Sequence, residues 1–517
     1  MRAVHGVVRR EAAQQPLRSD LTRSLAEAPA RDLVIIGGGA TGLGIAVDAA
    51  ARGLSVALVE AEDFAKGTSS RATKLVHGGV RYLAQGNIKL VREALRERAI
   101  LLRNAPHLAQ PLPFVLPLYG AKGRWFDTWF YGAGLALYDL LAGQAGLGRT
   151  EFLGRAATLE RAQGVQASGL RGALRYWDGQ FDDARHAVAL ARTAIAHGAT
   201  VVNHCAAVGL VHDGERIGGA LVEDRETRQR YLLKSRCVVN ATGVWVDAIR
   251  RMDRAQCGDL VAPSQGVHLI VDREFLPGRQ AILVPRTNDG RVFFAVPWLG
   301  KTILGTTDTP RSDLAVEPEP FRDEIDFILR EAAHCLAKAP ARADVRSMWA
   351  GLRPLVKPPN EDVDDTKTLS REHTVVIGRS GLVTVTGGKW TTYRSMAEDV
   401  LARCIARGLL PARAAGATIS LRLIGAPERA ERPLTEPPGL HLYGTEACVV
   451  QSLPGADREL APGLSAAMVR FAARFEYART VEDVLARRSR WLFLDARLAL
   501  SVADRVAAIL SEELGDR

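Results

Sequence analysis

Residues 31–60 read RDLVIIGGGATGLGIAVDAAARGLSVALVE, and this stretch decides the fold. Residues 33–36 are a short apolar run that ends in glycines, which predicts a strand buried on both faces of a parallel sheet. Gly37, Gly39 and Gly42 follow in G-x-G-x-x-G spacing. The first glycine permits a tight turn, the second lets backbone approach a pyrophosphate, and the third lets helix and strand pack closely. An Ala-rich segment from 40 to 52 predicts a helix that Gly53 closes. Residues 55–60 predict a second strand ending in Glu60, an acid placed to hydrogen-bond a ribose. Strand, helix, strand and acid in register make one βαβ unit whose helix N-terminus would hold a pyrophosphate. NAD and FAD share that ribose, so Glu60 does not separate them.

Further along, residues 237–243, CVVNATG, are an apolar strand ending in Ala241, Thr242 and Gly243. Helical spacing is expected over 88–102 and 182–197, with a Pro-rich break over 106–117 between them. Short strands at 200–202 and 237–240 extend the first sheet. From 281 to 307 the pattern changes to hairpins, with a turn at Leu299-Gly300. Gly300-Lys301-Thr302 imitates the end of a phosphate-binding loop, but Ala295 stands where that motif needs its first glycine and no helix pattern follows. Strand character returns at 375–377 and 383–385. Residues 1–30 read as a flexible tail.

The chain has 517 residues, too many for one core. It carries 68 basic and 58 acidic residues, a formal charge of +10, which attracts anionic ligands or surfaces without choosing among them. No basic run accompanies it, which disfavours nucleic acid. The six cysteines form no C-x-x-C pair. They read as reduced, mostly buried thiols rather than a disulfide frame or zinc site, and no metal is expected. No stretch has the roughly 20 apolar residues of a membrane-spanning helix. Trp125, Trp129, Phe130 and Tyr131 interleave with Lys122 and Arg124, which suits a membrane interface or a capped core helix equally.

Several segments together resemble the FAD-dependent glycerol-3-phosphate dehydrogenases. Besides the first glycine loop they are TSSRATKLVHGGVRYL at 68–83, FDDAR at 181–185, the strand ending in A-T-G, QGVH at 265–268, GTTD at 305–308, GLRPL at 351–355 and GGKWTTYR at 387–394. They occur in the family's order from residue 31 to about 400. Leu43 departs from it, standing where a small residue is usual. The resemblance implies an α/β FAD-binding domain of glutathione-reductase type, an antiparallel-sheet (α+β) substrate domain and a helical C-terminal domain. The expected division is 31–110, 181–262 and 345–408 for the FAD-binding domain, 111–180 and 263–344 for the substrate domain, and 409–517 for the C-terminal helices.

The resemblance also implies site residues. Besides Gly37, Gly39, Gly42 and Glu60, FAD would be held by Thr68, Ser69, Ser70, Lys74, His77, Gly79, Ala241, Thr242, Gly243, Gly388 and Lys389. The phosphate dianion of glycerol 3-phosphate needs several charge-assisted donors. Arg81, Tyr82, Arg353, Arg371 and Lys389 match the family's positions for it. Arg353 precedes Pro354, which favours extended backbone. A base must take the hydroxyl proton, and histidine suits neutral pH. His268 on the substrate side and His77 near the flavin are the two candidates, with Arg353 holding the alkoxide.

The turn Gly387-Gly388-Lys389 precedes a helix to about 406, whose N-terminus would face the flavin N1/C2 edge and stabilise its reduced, negatively charged form. The far end of that helix suits a membrane surface or an ordinary core face. The expected acceptor is ubiquinone or menaquinone, with the enzyme cytoplasmic and attached peripherally to the anionic inner face of the cell membrane. An oxidase passing electrons to oxygen, and a dinucleotide-binding scaffold or sensor without turnover, are the alternatives. The sequence leaves a homodimer open.

Overall fold

In the computed structural model, residues 15–79, 83, 86–119, 124–287, 290–357 and 372–515 are described, without side chains for 124–130. The expected βαβ unit forms as Arg31–Ile36, Ala40–Ala51 and Val56–Val59. It seeds a sheet whose parallel core runs Val383–Gly387, Arg230–Asn240, Arg31–Ile36, Val56–Val59, Thr200–Val202. The central runs 33–36, 56–59 and 237–239 are continuously apolar because helices cover them. Helix Ala40–Ala51 packs against Asp183–Ala196 and Tyr393–Ala406. Asp182 caps Asp183–Ala196 by accepting from the Arg185 N–H.

The second domain is a ten-stranded sheet, antiparallel except where Ala281–Val284 runs parallel to Ala109–Tyr119. Its residues alternate between two cores, as the period of a strand requires. Phe114, Ile270, Val296 and Ile303 face the C-terminal helices. Val115, Leu269, Val271, Ala295 and Leu304 face the helix Arg322–Cys335. Leu299 and Gly300 both have positive φ in the turn joining Phe293–Trp298 to Lys301–Gly305, so the imitation of a phosphate-binding loop is a hairpin turn.

Four expectations change. The supposed Pro-rich break contains the strand Ala109–Tyr119. Pro111, Pro113 and Pro117 fall at alternate positions, so their missing N–H groups all face one edge while the ladder to Leu170–Phe181 is kept on the other. The expected tail contains a helix, Arg18–Glu27, which seats Leu21 and Leu25 in the first core. Arg18 anchors it on Asp224 at 3.0 Å.

The expected domain boundary at 345 moves, because Ser347–Val356 pairs with Val261–Asp272 along its whole length in the second sheet. Finally, helix Tyr393–Ala406 buries Tyr393, Met396, Ala397, Val400, Leu401 and Cys404 in the first core. Its apolar face is a core face and is not available to a membrane. Leu43, the departure in the glycine loop, is absorbed in the same core.

The C-terminal region holds short helices before its longer ones, Ala466–Phe475 and Ala496–Gly515. Cys205, Cys237, Cys335 and Cys404 are buried and all six cysteines are free. Among the described residues no helix is long and apolar enough to cross a membrane. The aromatic and basic side chains at 122–130 lie outside the description.

Candidate active site

A cavity of about 350 Å³ opens at the carboxyl ends of the parallel strands. Gly37, Gly39, Glu60, Thr68, Ser69, Ala241, Thr242, Gly243, Gly388 and Lys389 line it, with Trp245, Pro354 and Trp390. The glycines are required by space. A methyl group on Gly42 would lie 1.9 Å from the Gly37 carbonyl oxygen, and one on Gly37 would lie 2.7 Å from the Ala241 oxygen. The Gly39 position has extended backbone and starts helix Ala40–Ala51, whose positive end therefore faces the cavity. Glu60 accepts from the Gly38 N–H at 2.6 Å and the Glu62 N–H at 2.9 Å. Desolvation raises its carboxyl above the ordinary range, and those two N–H groups oppose the rise. This cradle of turn, helix end and strand-end acid fits a dinucleotide.

At the other end of the cavity, Gly387 and Gly388 both have positive φ and carry the chain to Lys389 and Trp390. Trp390 donates its indole N–H to the Ser69 carbonyl at 2.8 Å, which ties this turn to the segment 68–74. Thr68 in turn donates to the Leu352 carbonyl at 2.5 Å, next to Arg353 and the cavity-lining Pro354.

Arg353 and His268 stand on the paired strands Ser347–Val356 and Val261–Asp272, opposite Ser264 and Trp349 respectively. The Arg353 guanidinium donates to the Gln265 carbonyl at 3.3 Å, the Thr306 hydroxyl at 3.2 Å, the Thr307 carbonyl at 3.0 Å and Asp308 at 3.4 Å. Gly266 leaves it room, since a methyl there would lie 2.2 Å from the guanidinium where it now stands. A quarter of the Arg353 side chain is still exposed.

His268 is buried, stacked on Trp349 with ring centroids 5.2 Å apart, and its Nε2 is 2.8 Å from the Thr73 hydroxyl. Burial, then the Lys74 and Arg353 charges, hold its pKa well below the ordinary imidazole range. The ring is therefore neutral at physiological pH, the state a proton acceptor needs.

The remaining expected residues divide. Ser70 and Lys74 were expected on the cofactor but sit behind the cavity. Lys74 is fully buried and donates to Asp183 at 2.7 Å and to the Ser70 carbonyl at 2.7 Å. Its ammonium satisfies a carboxylate introduced by FDDAR and does not line the cavity. His77 is half-buried, and its carbonyl accepts from Thr391. Gly79 is buried with positive φ beyond it. Arg81, Tyr82 and Arg371 lie outside the described residues. Thr73, Trp349 and Thr306 were missed. Thr73 and Thr306 lie inside the motifs TSSRATKLVHGGVRYL and GTTD, but only the strand register brings them to His268 and Arg353.

A family profile described as FAD dependent oxidoreductase matches residues 32–394. A second, described as the C-terminal domain of alpha-glycerophosphate oxidase, matches 439–516. A protein of Caenorhabditis elegans described as a probable mitochondrial glycerol-3-phosphate dehydrogenase is 42% identical over 533 residues, 97% of this chain and 73% of that one. The human mitochondrial glycerol-3-phosphate dehydrogenase is 39% identical over 526 residues, 93% of this chain and 70% of its own. The crystal structure of the glycerol-3-phosphate dehydrogenase of Bacillus halodurans complexed with FAD superposes with a TM-score of 0.77 at 30% identity. It covers 96% of this chain and 93% of that one.

Proposed function

Because the chain belongs to the FAD-dependent oxidoreductases and, among them, to the glycerol-3-phosphate dehydrogenases, we propose that it oxidises sn-glycerol 3-phosphate to dihydroxyacetone phosphate. When bound, FAD would supply a hydride acceptor for oxidation at the substrate's C2 and a store of electrons for a membrane quinone. Gly37, Gly39, Gly42, Glu60, Thr68, Ser69, Ala241–Gly243, Gly388 and Lys389 would hold it.

The observation that carries the reading is that Arg353, one residue from the cavity wall at Pro354, shares a pair of strands with His268, four register positions away, and acts on it by charge. Arg353 is already anchored through four acceptors, so it offers an oriented positive charge at low entropic cost to an alkoxide or phosphate oxygen. His268, neutral and hydrogen-bonded to Thr73, takes the hydroxyl proton. By the family resemblance of their motifs, Arg81, Tyr82, Arg371 and Lys389 would complete the phosphate clamp. Quinone is lipid-soluble, so this acceptor requires peripheral attachment to a membrane, which the reading places at the anionic inner face of the cell membrane.

Anaerobic addition of glycerol 3-phosphate to the purified yellow protein is expected to bleach the flavin band, while glycerol and lactate leave it unchanged. An unbleached flavin with glycerol 3-phosphate overturns the reading. One observation favours a second acceptor, oxygen: residues 439–516 match a domain described for an alpha-glycerophosphate oxidase. Stoichiometric peroxide in air without added quinone would select that reading.

A further inference from the structure

The segment 68–74 runs from the cofactor cavity to His268, and nearly every polar group along it is held by a different part of the chain. The Ser69 carbonyl accepts from Trp390 at 2.8 Å. The Ser70 carbonyl accepts from Lys74 at 2.7 Å and from Arg490 at 3.1 Å. The Arg71 carbonyl accepts from the Trp349 indole at 3.2 Å. The Ala72 N–H donates to Asp183 at 3.1 Å, and Thr73 meets His268. Lys74, which ends the segment, has a φ of 64°, a conformation a lysine does not hold without external support.

One of these supports comes from the C-terminal domain. Arg490 is fully buried, lies between the turn Asp483–Arg488 and the short helix Trp491–Leu494, and itself has a φ of 68°. It donates to Asp183 at 3.0 Å, on the oxygen that Lys74 does not use. Its Nε is 3.5 Å from Asp182. Phe493, one turn further on, lies under both cations, 5.3 Å from Lys74 and 4.5 Å from Arg490, and packs on Trp349. Trp349 in turn carries the Lys74 ammonium at 4.9 Å and stacks on His268.

We propose that Arg490 is a positioning residue for the His268 proton acceptor, acting through Asp183 and Lys74 on the segment that carries Thr73. The inference rests on the reading of His268 given above. Loss of Arg490 leaves Asp182 and one Asp183 oxygen without their cation and removes one donor from the Ser70 carbonyl. Thr73 and its hydrogen bond to His268 then lose their fixed placement. A misplacement of about 1 Å in such a group costs on the order of 100-fold in rate. The Trp390 tie on Ser69 does not involve Arg490, so the cofactor contact at Thr68 and Ser69 survives.

The groups facing Lys74 are Asp183, Asp182 and Arg490, and those facing His268 are Lys74 and Arg353. Burial, opposed by Asp183 and aided by Arg490, pushes Lys74 down to about 7. Without Arg490, Lys74 keeps its proton to higher pH, so any step in the rate that reports Lys74 moves alkaline.

The test compares Arg490→Met, Arg490→Lys and Arg488→Met in the full-length holoenzyme. Arg488 also joins the C-terminal domain to the first domain, through Asp63, but touches no part of 68–74. The readouts are the anaerobic flavin-reduction rate across pH, the KM, and the FAD affinity of the apoprotein by fluorescence quenching. Arg490→Met is expected to slow reduction about 10- to 100-fold and to move the neutral-pH step alkaline. Its KM and FAD affinity should stay within about threefold, Arg490→Lys should recover part of the rate, and Arg488→Met should leave the step where it is. The proposal is overturned if Arg488→Met moves the step equally, if FAD affinity falls in parallel with rate, or if a folded Arg490→Lys and Arg490→Met both reduce at the parent rate. Absence of bleaching in the parent protein would instead remove the functional reading itself.

Discussion

His186 gives the most direct quantitative test of how the cofactor end of the site is supported. It lies on helix Asp183–Ala196, fully buried among Phe181, Trp390 and Tyr393, with ring centroids 6.2, 5.5 and 5.6 Å away. Neither ring nitrogen has a hydrogen-bond partner among the described residues. Burial therefore pushes its pKa down to about 3. A base held this low binds fewer protons folded than unfolded, so stability falls as pH drops from the ordinary imidazole value near 6.5 toward 3. Each pH unit below 6.5 costs about 1.4 kcal/mol until the folded group titrates. At about pH 4.5 the cost is roughly 2.7 kcal/mol, against roughly 0.2 at pH 7, a difference of about 2.5 kcal/mol.

Leucine at 186 fills a similar volume and does not titrate. Between pH 7 and about 4.5 the His186→Leu protein should therefore lose about 2.5 kcal/mol less stability than the parent. For a chain of this size that is roughly 2–3 °C in Tm. The assay is thermal unfolding of parent and variant at both pH values, and His107 and His441 remain in both and cancel. Because Trp390 leans on His186 and lines the cavity, FAD release at low pH should shift with the same sign. Parallel loss of stability in the two proteins would refute the argument, since it would mean that the buried ring is protonated or solvated in the folded state.

Arg353→Ala should raise KM and lower kcat together, with kcat/KM down about 100-fold, because one anchored guanidinium positions the substrate; unchanged kinetics remove Arg353 from the site. His268→Gln should slow flavin reduction by about 100-fold or more while FAD stays bound, and near-normal reduction would pass the base role to His77 or water. Gly42→Ala should yield colourless protein, since its methyl would lie 1.9 Å from the Gly37 oxygen, and a normal flavin spectrum would contradict the packing. Asp63→Asn leaves Arg487 and Arg488 buried with one carboxylate fewer and should cost roughly 3–5 kcal/mol in urea unfolding. A loss under about 1 kcal/mol would mean that water reaches the pair.

What could be read from sequence was what short-range periodicity encodes. The glycine spacing, the acid at Glu60 and the Leu299-Gly300 turn are local, and each appears where its chemistry demands. Prolines at 111, 113 and 117 looked like a break because a single-chain reading cannot see that they leave the ladder to Leu170–Phe181 intact, while the parallel pairing on the other edge is confined to Phe114 and Val115. Lys74 looked like a cofactor contact because its motif runs along the cavity. Its side chain turns away to a carboxylate 109 residues later in the chain. Helix Tyr393–Ala406 offered an apolar face with two readings, and only the presence of helix Ala40–Ala51 against it decides between them. Pairings at long sequence separation leave no periodic trace, and they account for most of what the sequence did not disclose.

One such pairing bears on how the C-terminal domain is fixed. Asp63, His204 and Asp483 converge closely enough to resemble a metal site. Their oxygens are already committed. Asp63 accepts from Arg487 at 2.5 Å, from Arg488 at 2.5 and 2.9 Å, and from Asn203 at 3.0 Å. Asp483 accepts from Arg487 at 2.8 Å, from His204 at 3.0 Å, and from the Arg479 and Thr480 N–H groups at 2.8 and 3.0 Å. A cation would have to displace two guanidinium groups that are almost wholly buried. Burial alone would raise Asp483, yet His204 and Arg487 hold it well below the ordinary carboxylate range, as expected for a charged acid among donors. Buried ion pairs of this kind add little net stability over apolar packing, but each tolerates few alternative geometries. The cluster therefore acts mainly by fixing where the turn Asp483–Arg488 docks on the first domain, at Asp63 and His204.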